Sequence, residues 1–147
     1  ALADLLDIPV ETTAAALRSY GGTDRRFEHK GEVNGITVID DYAHHPTEIA
    51  ATLTAARELP HKTTWCVFQP QRTRVLADIY AAREKDTLGI SSQTLQAEIE
   101  KLGHRCYYFP SFSEIESFLL ENCTKGDLLI TMGAGDIVKV GDHLLQK

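Results

Sequence analysis

The chain has 147 residues, of which 43% are apolar and 24% charged, a composition typical of one globular domain with a well-sized core. Its formal net charge of −6 argues against nonspecific binding to nucleic acid or to an anionic membrane surface. No apolar run approaches the roughly 20 residues that span a bilayer, and no signal-peptide pattern is present, so we expect a cytoplasmic protein.

The predicted elements begin with a helical region over 1–20, in which Pro9 suits a first helical turn and Gly21-Gly22 the stop. Strands are predicted over 27–32 and 36–40, joined by an Asn34-Gly35 hairpin turn. The remaining predicted elements are a helix over 47–58, strands over 63–68 and 75–80, a helix over 92–102, a strand over 105–109, a helix opened by a capping box of Ser113 and Glu116, a strand over 127–132, and a last helix capped by Asp136 and ending near Leu145.

The alternation of strands and helices after residue 47 predicts an α/β fold, Rossmann-like and doubly wound, with a mostly parallel sheet and an N-terminal β-hairpin. One joint does not fit this pattern. Only six residues separate Phe68 from Val75, whereas two parallel strands need a crossover of a dozen or more. Either these two strands are antiparallel, or a segment is missing between Arg74 and Val75.

The most informative stretch is DDYAHHPTEI at 40–49, which follows the apolar run 36–39 and leads directly into a predicted helix. Two carboxylates, a phenol and two imidazoles therefore stand where a strand ends. In an open α/β sheet, ligands bind at the carboxyl ends of the strands. The alternative for Asp40 and Asp41 is a helix N-terminal cap, and His45 is expected to pack or cap. A metal site is not predicted, because the His44-His45 pair lacks a third ligand at a usable local spacing.

The three cysteines, Cys66, Cys106 and Cys123, form no CxxC pair and are odd in number. We expect reduced, mostly buried thiols rather than a disulfide framework.

The stretch at 40–49 resembles the motif that opens the C-terminal domain of the Mur ligases, the ATP-dependent amino-acid ligases of peptidoglycan synthesis. The similarity extends, in the family's order, to RRFE at 25–28, FQP at 68–70, DIYAARE at 78–84 and DLLITMGAGDIVKV at 127–140. The resemblance implies that residues 1–22 are a remnant of the preceding ATP-binding domain and its linker, and that 23–147 form the C-terminal domain. It also favours a missing segment of about 20–30 residues at the joint between Arg74 and Val75.

The activity implied by the resemblance is the joining of L-alanine to UDP-N-acetylmuramate through an acyl phosphate. ATP and Mg²⁺ would be held mainly by the N-terminal and central domains, which this chain lacks. Because Gly133-Ala134-Gly135-Asp136 has no phosphate-loop lysine, the chain alone is expected to be inactive. The alternatives are a murein-peptide recycling ligase acting on the same sugar and a non-catalytic Rossmann-like ligand-binding module.

By the same resemblance, Arg26, Asp41 and Tyr42 contact the nucleotide, and Arg26 is favoured over Arg25. Arg26, Asp41 and His44 are the expected catalytic residues. The alternative for Arg26 is an ordinary surface arginine.

The amino-acid substrate is expected at five positions, which are His44, Arg72, Arg74, Gly133 and Gly135. Free N–H groups at a helix start bind anions, and arginine is a natural partner for a carboxylate. The alternatives are solvated loop arginines and a tight strand–helix turn.

Overall fold

The structure, a computed structural model, describes residues 2–69 and 92–147. In chain order the elements are α1 (Leu2–Leu5), α2 (Val10–Ser19), β1 (Glu28–Val33), β2 (Ile36–Asp41), α3 (Pro46–Arg57), β3 (Thr64–Phe68), α4 (Ser92–Lys101), α5 (Phe112–Asn122), β4 (Leu128–Met132) and α6 (Val138–Leu145). The predicted strand over 75–80 and the joint between Arg74 and Val75 lie outside the described residues.

The four described strands form one sheet in the order β1-β2-β4-β3. β1 and β2 are antiparallel, whereas β2 and β3 both run parallel to β4. Asn34 and Gly35 have φ of +53° and +75°, as a two-residue turn between antiparallel strands requires. The predicted N-terminal hairpin and the mostly parallel α/β sheet are therefore confirmed.

The core lies on both faces of the sheet, because neighbouring residues of a strand point to opposite sides. Val38 and Leu129 pack in a cluster with residues of α5 and α6. The next residues, Ile39 and Ile130, pack on the other face with α3. The strands of a sheet that is buried on both faces have nearly continuous apolar sequences. Strand β4 is an example, because all five of its residues are buried. The helices on two sides give the doubly wound architecture.

The predicted strand over 105–109 is wrong, because this run pairs with no strand among the described residues. Its aromatic side chains pack on α5, and its backbone is bonded by a side chain of α4. The ring centroids of Phe109 and Phe118 are 4.9 Å apart, and Gln96 Nε2 donates to Cys106 O at 3.1 Å. Aromatic and apolar residues therefore mark a packed connection here.

Two predicted helix caps are also wrong. Ser111, not Ser113, is the N-cap of α5, and its Oγ accepts from the Glu114 amide. Glu116, the expected capping-box partner, is instead buried against α6. Helix α6 begins two residues after Asp136, and the Ile137 amide donates to Gln69 Oε1 at 3.0 Å. A residue 68 positions away thus accepts the amide of the N-cap residue, and the N-cap side chain makes no capping bond.

The N-terminal region is helical as predicted, but in two pieces, and Pro9 is the N-cap of α2. No helix in the described ranges combines the length and the apolar character needed to cross a membrane. The three thiols are free, and burial raises the pKa of Cys66 and Cys123 to about 12, so that both stay protonated at neutral pH.

Candidate functional site

The parallel strands end together at one edge of the sheet. Asp41 and Phe68, the last residues of β2 and β3, both pair with Met132 at the end of β4. The segment that follows β2 and the glycine turn that follows β4 therefore meet at this edge, where the sequence predicts the site.

Asp41 is buried, with 6% of its surface exposed, and both carboxylate oxygens accept hydrogen bonds. Oδ1 accepts from the Ala43 amide at 2.9 Å. Oδ2 accepts from the Phe27 amide at 3.1 Å and from Thr52 Oγ1 at 2.8 Å. Asp41 thus hydrogen-bonds the residue before β1, the segment after β2 and helix α3, and it does not cap that helix. Its contact with nucleotide stays a prediction.

Asp40 is fully buried and is paired with Arg25, which the family resemblance ranks below Arg26 as a nucleotide ligand. Asp40 Oδ2 lies 2.8 Å from Arg25 Nε, and Oδ1 accepts from Thr131 Oγ1 at 2.7 Å. The same guanidinium donates to Gly133 O at 2.7 Å and to Gly135 O at 3.0 Å. The only sequence feature that could have pointed to Arg25 is its position next to Arg26.

Arg26, Tyr42 and His44, three of the predicted site residues, lie together at the surface. The Arg26 side chain is 51% exposed, and its Nη1 lies 3.4 Å from Glu48 Oε1. Its Cζ is 5.8 Å from the Tyr42 ring centroid, a cation–π distance. The His44 ring packs edge-on against Tyr42 at 5.5 Å. A cation, a phenol and an imidazole thus form one accessible group.

Helix α3 begins at this group. His45 is its N-cap, as expected, and Pro46 occupies the first position. Glu48 Oε2 accepts from the amides of His44 and His45 at 3.2 and 3.3 Å, and these bonds hold the pKa of Glu48 below its usual range. The carboxylate beside Arg26 is therefore ionised at neutral pH. Sequence patterning gives Glu48 only a favourable place in the helix field.

The Gly133–Gly135 turn is packed tightly. Gly133 has φ of +137°, and a Cβ there would stand 2.1 Å from Gln69 O. Its amide donates to Asp41 O at 3.0 Å, so it is not the free N–H group that the sequence predicts. The carbonyls of Gly133 and Gly135 face Arg25. Binding of the amino acid by either glycine stays a prediction.

Arg72 and Arg74, the predicted carboxylate partners, lie outside the described residues. In the parts of the chain that the structure describes, no group of three or more His, Cys, Asp or Glu side chains is arranged to hold a metal ion.

The sheet order and the motif at its carboxyl edge define the class of protein. The family described as Mur ligase, glutamate ligase domain matches residues 25–135, and the chain belongs to this family. The UDP-N-acetylmuramate–L-alanine ligase of Lachnoclostridium phytofermentans is 54% identical over 165 residues, which cover 99% of this chain and 35% of that protein. The chain thus spans about a third of the length of the curated relatives it matches.

Two solved structures share the fold. The UDP-N-acetylmuramate–alanine ligase from Thermotoga maritima aligns with a TM-score of 0.80 at 24% identity, covering 99% of this chain and 34% of that one. A crystallised domain from Haemophilus ducreyi aligns with a TM-score of 0.61 at 26% identity, covering 82% of this chain and 98% of that one.

Proposed function

We propose that this chain is the C-terminal domain of an ATP-dependent ligase that joins L-alanine to UDP-N-acetylmuramate in peptidoglycan synthesis. The observation that carries the proposal is the 54% identity, over 99% of the chain, to a protein with that name. Because the chain corresponds to only 35% of that relative, the rest of the ligase is proposed to lie in N-terminal and central domains of the same protein.

Residues 1–22 are proposed to belong to the preceding ATP-binding domain and its linker, and 23–147 to the C-terminal domain. The family match begins at residue 25, which supports this boundary. Within the described chain, neither α1 nor α2 contributes a buried residue, whereas the apolar residues Leu2, Leu5 and Leu17 are more than two-thirds exposed. An apolar surface of this kind fits a contact with a preceding domain.

On the nucleotide side, Arg26 is proposed to bind ribose or phosphate oxygens of ATP when the domains close. A guanidinium offers a planar fork of donors for such oxygens, and half of the Arg26 side chain is accessible. Tyr42 packs beside it, and Asp41 holds the backbone at Phe27. ATP supplies the phosphoryl group that activates the sugar's carboxylate, and Mg²⁺ neutralises the phosphates. Both are proposed to be held mainly by the other domains.

On the amino-acid side, His44 is proposed to contact the carboxylate of L-alanine together with Arg72 and Arg74. The accessible imidazole supports this role. Its Nδ1 lies 3.1 Å from Tyr42 O, which orients the ring and leaves Nε2 for a ligand. Orienting the amine beside the activated carboxylate makes its attack effectively intramolecular.

The proposed missing segment between Arg74 and Val75 has one further support. The alignment with the Lachnoclostridium phytofermentans protein has 165 positions, more than the 147 residues of this chain. Sequencing the parent reading frame on both sides of Val75 tests it, and a continuous codon run from Arg74 to Val75 would show a deletion in the natural protein.

The function is tested in the full-length parent protein by measuring ADP release and product mass with UDP-N-acetylmuramate, ATP and either L-alanine or an L-alanyl-γ-D-glutamyl-diaminopimelate tripeptide. We expect L-alanine to be joined. Use of the tripeptide alone would identify the recycling ligase, and use of neither would favour a non-catalytic module. The isolated 147-residue chain is expected to join neither.

A further inference from the structure

We propose that Arg25 is a positioning residue that fixes Arg26 for the nucleotide. This inference rests on the proposed function, because it assigns Arg25 a part in ATP binding by the same site. Arg25 itself is turned inward, with 23% of its side chain exposed, and its guanidinium is engaged by the sheet edge. It therefore acts through its neighbour.

The Arg25 side chain joins three separate parts of the site. Nε bonds the buried carboxylate of Asp40 on β2, at 2.8 Å. The two Nη atoms bond the carbonyls of Gly133 and Gly135 after β4, at 2.7 and 3.0 Å. Its Cζ lies 5.1 Å from the Tyr42 ring centroid. The guanidinium thus locks the segment before β1 onto the ends of two parallel strands.

The backbone on both sides of Arg26 is fixed as well. Arg25 and Phe27 have φ of +56° and +48°, a region that residues other than glycine adopt where their surroundings hold them. The Arg25 amide donates to Glu28 Oε2 at 2.8 Å, and Arg25 O accepts from the Tyr42 amide at 2.7 Å. The Phe27 amide donates to Asp41 Oδ2.

Arg26 stands between these two anchored residues, with its own amide bonded to Thr23 O at 3.1 Å. Its backbone is held while its guanidinium stays accessible, which is the arrangement expected of a group that must meet a ligand in one orientation. Lysine at position 25 would keep the charge but could not reach one carboxylate and two carbonyls with a fixed planar fork.

The test is a double-mutant cycle in the full-length parent protein, built from Arg25→Lys, Arg26→Ala and the double variant. We expect Arg25→Lys to raise the KM for ATP and the ATP dissociation constant about tenfold, with the KM for L-alanine changed less than about twofold. In the Arg26→Ala background the same substitution should add little, because its effect passes through Arg26.

Lys62→Ala is the control at the opposite end of the sheet. Like Arg25, Lys62 donates from its side chain to a backbone carbonyl, with its Nζ 2.6 Å from Lys125 O, but it contacts no residue of the site. It should lower the melting temperature without the selective rise in KM for ATP. Circular dichroism would show that each variant is folded under the assay conditions.

Additive effects in the cycle, equal rises in both KM values, or the same selective rise in Lys62→Ala would overturn the role of Arg25. So would a failure of Arg25→Lys to fold, since that would assign Arg25 to the fold alone. A parent that binds ATP but does not join L-alanine would contradict the proposed function instead, and the cycle in ATP dissociation constants would still decide the role of Arg25.

Discussion

The two ends of the parallel sheet each contain a buried aspartate, and only at the carboxyl end does the sequence predict a ligand site. At the carboxyl end, Asp41 uses both oxygens to bind Phe27, Ala43 and Thr52. At the amino end, Asp127 uses Oδ2 for the Trp65 indole and the Thr124 amide, while its buried Oδ1 has no partner among the described residues.

The difference lies in what these bonds leave accessible. At the amino end, backbone bonds close the turns beside Asp127, since the Lys62 amide donates to Gly126 O and the Gly126 amide to Gly35 O. At the carboxyl end they hold a backbone that presents Arg26 and His44 to solvent. A buried, hydrogen-bonded aspartate is therefore not a sign of a functional site by itself. The amino end also has an imidazole and a cation, but both ring nitrogens of His61 and the Nζ of Lys62 are bonded to neighbouring protein groups.

The largest expected effect compares glycines at the two ends. Gly133→Ala should lower the free energy of unfolding by about 3 kcal/mol or more, because the added Cβ meets the Gln69 backbone oxygen at 2.1 Å. Gly126→Ala should cost about 1–2 kcal/mol, since its φ is also positive but the nearest atom belongs to the flexible Lys62 side chain, at 3.2 Å. Urea unfolding followed by circular dichroism measures both; equal losses would contradict the tight turn at Gly133.

The two aspartates give the second comparison. Asp41→Asn should cost about 1–3 kcal/mol, because one amide NH₂ must face donors that now bind carboxylate oxygens. Asp127→Asn should cost less, since its NH₂ can take the place of the unpartnered Oδ1. The same urea titration compares them. A smaller loss for Asp41→Asn than for Asp127→Asn would show that the network around Asp41 is weaker than its distances indicate.

The contribution of Glu48 to stability at the carboxyl end is expected to depend on pH. Its folded-state pKa is held below 4.5, first by the His44 amide, so its ionised form stabilises the fold above that pH. Wild type should therefore melt at a higher temperature than Glu48→Gln at pH 7, and the difference should shrink as the pH falls below 4.5 and through the lowered pKa. Thermal melts between pH 3 and pH 7 test this, with the exposed Glu98→Gln on α4 as control. A pH-independent difference would show that the charge contributes nothing.

The smallest effect on stability is expected for two histidines. His44→Ala and His61→Ala, at the carboxyl and amino ends, should each change the free energy of unfolding by no more than about 0.5 kcal/mol, as surface substitutions do. They should differ in kinetics. In the parent protein only His44→Ala should raise the KM for L-alanine more than the KM for ATP. If the KM for ATP rises instead, the assignment of the two sides of the site is reversed.

Much of the fold could be predicted, because its signals are local. Asn34-Gly35 requires the backbone of a hairpin turn, and Pro46 followed by Glu48 predicts a helix start, which the structure has one residue after His45. Where a cap comes from far away, local reasoning failed. The N-cap of the last helix is Ile137 rather than Asp136, and its amide is accepted by the distant Gln69.

The candidate site likewise has residues that the sequence indicated and contacts that it did not. The sequence indicated the edge of the sheet and the accessible residues Arg26, Tyr42 and His44, because a motif places them next to one another along the chain. It considered Arg25 only as the less favoured neighbour of Arg26, because the partners of Arg25, Gly133 and Gly135, are 108 and 110 positions away. It also treated Gly133 as a free donor, although Asp41 O already accepts its amide.

The sequence by itself determined the class of fold and the motif at the carboxyl edge of the sheet, since hydrophobic periodicity, turn residues and the order of short motifs are written along the chain. Only the tertiary structure decided which polar groups are engaged and which remain accessible. The reason is physical: a buried carboxylate or amide bonds whatever donor or acceptor the packed strands bring within about 3 Å, and that partner is set by the sheet order rather than by neighbours in sequence.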